Sequence, residues 1–101
     1  MTGQITLEET ASGGTYTYRD GDHPAAEMTF SKTGEKLIII DHTEVPQVFR
    51  GQGVGVKLVE RAVEDVRAAG KKIIPLCPFA NAQFKRHPEW HDVLSGRLRE
   101  K

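Results

Sequence analysis

The first half of the chain carries apolar and polar residues in patterns that predict β-strands. Residues 15–19 and 25–31 are rich in strand-forming side chains, and glycine-containing turn sequences flank them. Residues 5–7 are a candidate edge strand. Residues 36–45 contain a run of isoleucines and leucine that is typical of a strand covered on both faces. This half therefore predicts an antiparallel β-meander.

The second half changes to helical spacing. In residues 53–69, apolar side chains recur at i, i+1, i+4, i+5 and i+8, and charged residues cover the opposite face. Residues 72–76 predict a short buried strand, and residues 80–86 predict a short helix. Residues 91–101 predict a turn or short helix with a frayed end. Because a strand, a helix and a strand follow one another, we expect a parallel strand pair joined by the helix, in a mixed α/β sheet.

Length and composition restrict the classes of protein to consider. The 101 residues suit one domain, and 14 basic residues balance 14 acidic ones, so neither a nucleic acid nor a membrane is an expected partner. A lone cysteine, Cys77, fits a reducing cytoplasm, and residues 1–10 do not resemble a signal peptide. His87 and His91 are separated by a proline and lack the patterned partners of a zinc site, so no metal is predicted.

The glycine-rich stretch RGQGVG, residues 50–55, directly precedes the predicted long helix and offers no side chain that caps helices. The free N–H groups of a helix start bind anions, and glycines allow the backbone to approach a phosphate closely. Arg50 and Lys57 add positive charge. The dinucleotide fingerprint fails because residue 56 is Val56, and the P-loop pattern is absent. The alternative is a plain turn between strand and helix.

This stretch resembles the pyrophosphate-binding loop of the GNAT superfamily of acetyl-CoA-dependent N-acetyltransferases. The segments DHTEVPQVFRGQGVG, GKKIIPLCPFA and RHPEW are similar to a compact, single-domain subfamily with a Cys-Pro-Phe segment. The resemblance implies one minimal GNAT-like domain over residues 1–101. It further implies acetyl-CoA as cofactor and acetyl transfer to a primary amine, with a protein or peptide lysine as a candidate acceptor.

The resemblance also implies which residues bind coenzyme A. Backbone N–H groups from about residue 52 to 56 would hold the pyrophosphate, and pantetheine would lie between walls at residues 43–45 and 74–77. Lys85 or Arg86 would meet the 3′-phosphate. The implied cofactor-binding residues are Val45, Arg50, Gly51, Gln52, Gly53, Val54, Gly55, Val56, Asn81, Phe84 and Lys85.

Three side chains are candidates for the chemistry. His42 is the first choice of base because histidine exchanges protons near neutral pH, and Glu44 shares its strand face as the second choice. Cys77 would act as an acyl-accepting nucleophile or as the acid that protonates departing coenzyme A, with His42 as its base. The alternatives are a histidine held in a structural hydrogen bond and a cysteine that only packs as a small apolar residue.

The chain departs from the superfamily in two respects. Many members use a tyrosine of the last helix as the general acid, whereas Phe84 occupies that kind of position here. Most members are longer, so the acceptor side is expected to be open or completed by a second subunit. Two competing hypotheses follow: a module that binds acyl-CoA without turnover, and an interaction domain whose loop binds nothing.

Overall fold

The computed structural model describes residues 3–96, which form one mixed β-sheet with helices packed against it. Among these residues, no helix is both long and apolar enough to cross a membrane. The predicted α/β fold class is confirmed, and observed bounds lie within a few residues of the predicted ones. The elements are β1 (Gln4–Glu9), β2 (Gly13–Arg19), β3 (Ala26–Thr33), β4 (Leu37–Glu44), a 3₁₀ turn (Gln47–Phe49), α1 (Val54–Ala69), β5 (Lys72–Pro75), α2 (Pro78–Arg86) and a second 3₁₀ turn (Pro88–Val93).

The five strands lie side by side in chain order. β1 to β4 pair antiparallel, and β5 adds to β4 in parallel after the crossover through α1. α2 begins two residues earlier than predicted because Pro78 suits the first helical position, where no backbone donor is needed.

The helices cover one face of the sheet, and this corrects one expectation. Ile38 and Ile40 of β4 are buried in the single core cluster with α1 and α2, whereas Ile39 on the other face is only half-buried. The prediction that β4 is covered on both faces is therefore wrong for residues 3–96. The uncovered side, here called the open face, also carries Thr29 and Ser31 of β3.

A β-bulge interrupts β4 and decides which side chains face the helices. Thr29 pairs with His42 but Phe30 pairs with Ile40, so Asp41 is an extra residue in β4. A bulge shifts the alternation of side chains by one residue. As a result Thr43 lies on the helix-covered side of the sheet, whereas His42 lies on the open face.

The end of α2 is closed by two histidines. His87 Nδ1 lies 2.8 Å from the Gln83 carbonyl oxygen, and His91 Nε2 lies 2.7 Å from the Phe84 carbonyl oxygen. Trp90 stacks on His87 and is buried in the core. These contacts give the histidines a structural role, and residues 3–96 contain no group of three His, Cys, Asp or Glu placed to hold a metal ion. The last part of the predicted tail, residues 97–101, lies outside the described residues.

A hydrogen bond from Tyr16 of β2 connects the sheet to α1. The Tyr16 hydroxyl donates a 2.8 Å hydrogen bond to Asp65 Oδ2 of α1. Burial is the main cause that raises the pKa of Tyr16 above its usual range, and this hydrogen bond is the second cause. We expect Tyr16→Phe to lower the free energy of unfolding by about 1–2 kcal/mol, since Arg61 still pairs with Asp65.

Urea unfolding of both proteins between pH 7 and pH 11 measures this effect. Because the pKa is raised in the folded state, the tyrosine's contribution is complete below its ordinary pKa of about 10 and declines above it. Equal stability of the two proteins at pH 7 would contradict this role.

Candidate active site

The start of α1 leaves backbone N–H groups without partners in the helix. Gly53 occupies the N-cap position in the left-handed region, with φ of 73°, and no side chain of residues 3–96 caps the helix. The Lys57 N–H donates to the Gly53 carbonyl, 3.0 Å away. The N–H groups of residues 54–56 precede this bond and so lie outside the helical ladder. No acidic residue occupies the first turn, so the positive end of the helix dipole is uncompensated.

A cavity of about 410 Å³ lies against this helix end. The end of β4, the glycine-rich loop, the first turn of α1 and the start of α2 enclose it. Its lining is partly apolar and includes one cation, the exposed Arg50. The lining residues are Thr43, Val45, Phe49, Arg50, Gly51, Gly53, Gly55, Val56 and Phe79.

Gly55 lets the Phe79 side chain of α2 lie directly against α1. A Cβ atom added to Gly55 would lie 2.6 Å from Cζ of Phe79, far inside van der Waals contact. The absence of a side chain therefore lets the aromatic ring form one wall of the cavity. Phe79 and Phe49 were not predicted as site residues. Phe79 follows Pro78 at the start of α2, and the Cys-Pro-Phe segment just beyond β5 is the sequence signal for it.

Several residues that were expected to contact the cofactor do not line the cavity. The Gln52 N–H already donates to the Phe49 carbonyl at 3.1 Å, which corrects the expectation that it is a free donor. Phe84 is completely buried against Trp90, so its side chain is a core residue and cannot touch a ligand. Asn81 is buried, and Lys85 is exposed on the last turn of α2.

Val54 is also in the core, at 1% exposure, and does not line the cavity. The wall predicted from β4 lines the cavity through Thr43 and Val45. The opposite wall predicted at residues 74–77 is absent from the cavity lining, and Phe79 stands there in its place.

A notch opens between β4 and β5 beside the cavity. The last paired residues are Ile40 and Pro75, after which the Cys77 N–H donates to the Ile40 carbonyl at 2.9 Å. β4 continues four residues further, to Glu44, with β3 as its partner. The two strands thus separate beyond Ile40.

The bulge in β4 distributes the candidate catalytic residues over the two sides of this notch. Cys77 Sγ lies 3.4 Å from Thr43 Oγ1 on the helix-covered side. His42 and Glu44 are on the open face, with His42 Nε2 4.0 Å from Glu44 Oε1 and both side chains more than two-thirds exposed. The expected shared face of His42 and Glu44 is observed. The expected pairing of His42 with Cys77 is not, because Thr43 is the strand residue that contacts the thiol.

Comparison with known proteins identifies the family. The model of the GCN5-related N-acetyltransferase family matches residues 15–93, which include all of the cavity lining. The chain belongs to this family. A GCN5-like protein of Staphylococcus aureus, solved by NMR in solution, superposes with a TM-score of 0.71 at 32% identity and covers 91% of this chain and 89% of its own. The GNAT-like fold is thereby shown.

The curated relatives of this N-acetyltransferase family member match it over a shorter stretch than the solved structure does. Protein NATD1 of Xenopus tropicalis is 30% identical over 69 residues, which are 68% of this chain and 63% of that protein. Protein NATD1 of Homo sapiens is 28% identical over 69 residues, 68% of this chain and 61% of that protein. The chain thus matches somewhat less than two-thirds of the length of these relatives.

Proposed function

We propose that the protein binds acetyl-CoA at the start of α1 and transfers the acetyl group to a primary amine. The observation that carries the proposal is the 410 Å³ cavity at an uncapped helix start. The pyrophosphate of acetyl-CoA would accept hydrogen bonds from the N–H groups of residues 54–56, and Arg50 would supply a countercharge. Lys85 remains the proposed partner of a more distant phosphate.

Pantetheine would follow the cavity towards the notch, between Val45 and Phe79. The thioester would then reach the gap between β4 and β5, where Thr43 and Cys77 lie on one side and His42 on the other. Acetyl-CoA would enter from the helix-covered side, and the amine would approach from the open face. This arrangement keeps the donor and the acceptor in separate sites that meet at the reacting carbonyl.

On the open face, His42 would remove the proton that the attacking amine must lose, and Glu44 would orient the imidazole. Both side chains are accessible to a large acceptor, and no helix covers them within residues 3–96. A protein or peptide lysine fits such an uncovered site. The acceptor side is also compatible with completion by a second subunit.

The alternative function is binding of acyl-CoA without turnover. The burial of Phe84 and the position of both tyrosines in the core favour it, since neither a phenylalanine nor a buried tyrosine supplies the usual acid. Incubation with acetyl-CoA and lysine-containing peptides separates the two functions. We expect repeated release of coenzyme A with a matching mass increase of the peptide. Binding of acetyl-CoA with no acetylated product would instead establish the binding module.

Gly55 provides a test of the cavity wall. In Gly55→Ala, the new methyl group displaces the Phe79 ring into the proposed pantetheine path, and we expect acetyl-CoA affinity to fall about tenfold, or ~1.4 kcal/mol. Helix propensity favours alanine over glycine by up to about 1 kcal/mol, so the fold should tolerate the change. Isothermal calorimetry of the unaltered protein and of the variant measures the effect. Unchanged affinity of Gly55→Ala would argue against this wall.

A further inference from the structure

Thr43 stands between the Cys77 thiol and the cavity. Thr43 lines the cavity, whereas Cys77 is 5% exposed and is not part of the lining. The thiol donates a hydrogen bond to Thr43 Oγ1 over 3.4 Å. Because this oxygen accepts from sulfur, the hydroxyl proton of Thr43 remains available for a group inside the cavity. A ligand in the cavity would therefore meet Thr43 and not the thiol itself.

The β4 bulge creates this contact. If β4 were regular and Asp41 took an ordinary paired position, His42 would lie on the side of Ile40, and Thr43 would turn to the open face. The backbone at this point of the notch is fixed on its β5 side by the bond from the Cys77 N–H to the Ile40 carbonyl. The backbone of both residues is therefore fixed, Thr43 within β4 and Cys77 as the N-cap of α2.

We propose that Thr43 relays a proton from Cys77 to the sulfur of departing coenzyme A. This inference rests on the proposed acetyl transfer and assigns the acid of that reaction. Thr43 is the catalytic residue, since it would touch the thioester, and Cys77 is the proton source behind it. The relay supplies the general acid, which is a tyrosine in many members of the superfamily. In residues 3–96 no tyrosine is exposed, because Tyr16 and Tyr18 are each 2% exposed in the core.

The step balances as follows. The amine nitrogen forms a bond to the acetyl carbon and loses a proton to His42 and then to water. The carbon–sulfur bond breaks, and its electron pair leaves on the sulfur of coenzyme A. That sulfur takes the hydroxyl proton of Thr43, whose oxygen takes the thiol proton of Cys77. Water returns a proton to the Cys77 thiolate, so the products are the acetylated amine and neutral coenzyme A thiol.

Substitutions at Thr43 test the relay kinetically. Thr43→Val keeps the shape of the side chain and removes the hydroxyl, and we expect kcat to fall at least tenfold while KM for acetyl-CoA stays within about twofold. Thr43→Ser keeps the hydroxyl and should restore most of kcat. Cys77→Ala should resemble Thr43→Val. A valine variant with unchanged kcat, or a serine variant as impaired as the valine variant, would overturn the relay.

A second readout does not depend on turnover. Cys77 is the only cysteine of the chain, so the S–H stretching band in the infrared reports this thiol alone, with Cys77→Ala as the blank. We expect the S–H band of the unaltered protein to have the frequency of a hydrogen-bonded thiol. In Thr43→Val, the band should shift to the frequency of a thiol without a hydrogen bond. An identical band in both proteins would overturn the pair while leaving acetyl transfer intact. Complete lack of turnover in the unaltered protein would overturn acetyl transfer and the relay together.

Discussion

Gly53→Asp should abolish measurable binding of acetyl-CoA at concentrations that saturate the unaltered protein, a loss of at least about a hundredfold in affinity. A hundredfold corresponds to ~2.7 kcal/mol, the order expected when one or two hydrogen bonds to a charged phosphate are lost. The new carboxylate would stand at the N-cap of α1, where it repels the pyrophosphate and competes for the N–H groups of residues 54–56.

The chain offers a matched control for backbone strain. Gly53 has φ of 73° and Gly34, in the turn between β3 and β4, has φ of 68°, and a Cβ atom at either position meets no atom within 4 Å. An aspartate therefore costs a comparable ~1–2 kcal/mol of conformational strain at both. We expect Gly34→Asp to lose stability but to bind acetyl-CoA normally in calorimetry. Equal loss of binding in both variants would show that the effect of Gly53→Asp is one of folding.

His42→Gln should lower kcat by a factor of about 10²–10⁴ if its imidazole is the base on the open face. The affinity for acetyl-CoA should not change, because His42 lies across the sheet from the cavity. The melting temperature should also stay the same, since the side chain is 69% exposed and, within residues 3–96, its ionic contact is the 4.0 Å approach to Glu44. Steady-state kinetics with a peptide acceptor, together with calorimetry, measure these three quantities.

Two further variants sharpen this prediction. Glu44→Gln should reduce kcat less than His42→Gln does, because Glu44 would act by orienting the imidazole. Glu8→Gln changes an exposed residue on the same face at the far edge of the sheet, opposite Thr15, and should leave kcat unaffected. A His42→Gln protein that retains full kcat would exclude His42 as the base and leave the proton to solvent.

Much of the fold follows from local patterns. Residues 53–69 show one apolar stripe over four turns, and such spacing is compatible with little other than an amphipathic helix. The sequence marks Gly51 and Gly53 as a candidate anion-binding loop, because they precede a helix that has no capping side chain. Both glycines have positive φ in the structure. Phe84 could have been assigned to the core, since Ala80 lies four residues before it on the same side of α2 and both are fully buried.

The arrangement of the catalytic candidates did not follow from local patterns. Period-two alternation along an uninterrupted β4 places His42 on the side of Ile40, and only the pairing with β3 reveals the extra residue at Asp41. A bulge depends on how two strands fit together, and neither strand alone encodes it. The isoleucine run suggested burial on both faces, but whether an element covers the second face depends on the rest of the fold, and Ile39 faces the open side.

The most direct test of the account is a titration of the uniformly ¹⁵N-labelled protein with acetyl-CoA, followed through its backbone amide resonances. An 11.2 kDa chain is well suited to this measurement. The account predicts saturable shifts that are largest for the amides of residues 54–56, with further shifts around Thr43 and Phe79. The absence of shifts at millimolar acetyl-CoA, or shifts confined to another surface, would contradict the assignment of the helix start as the cofactor site.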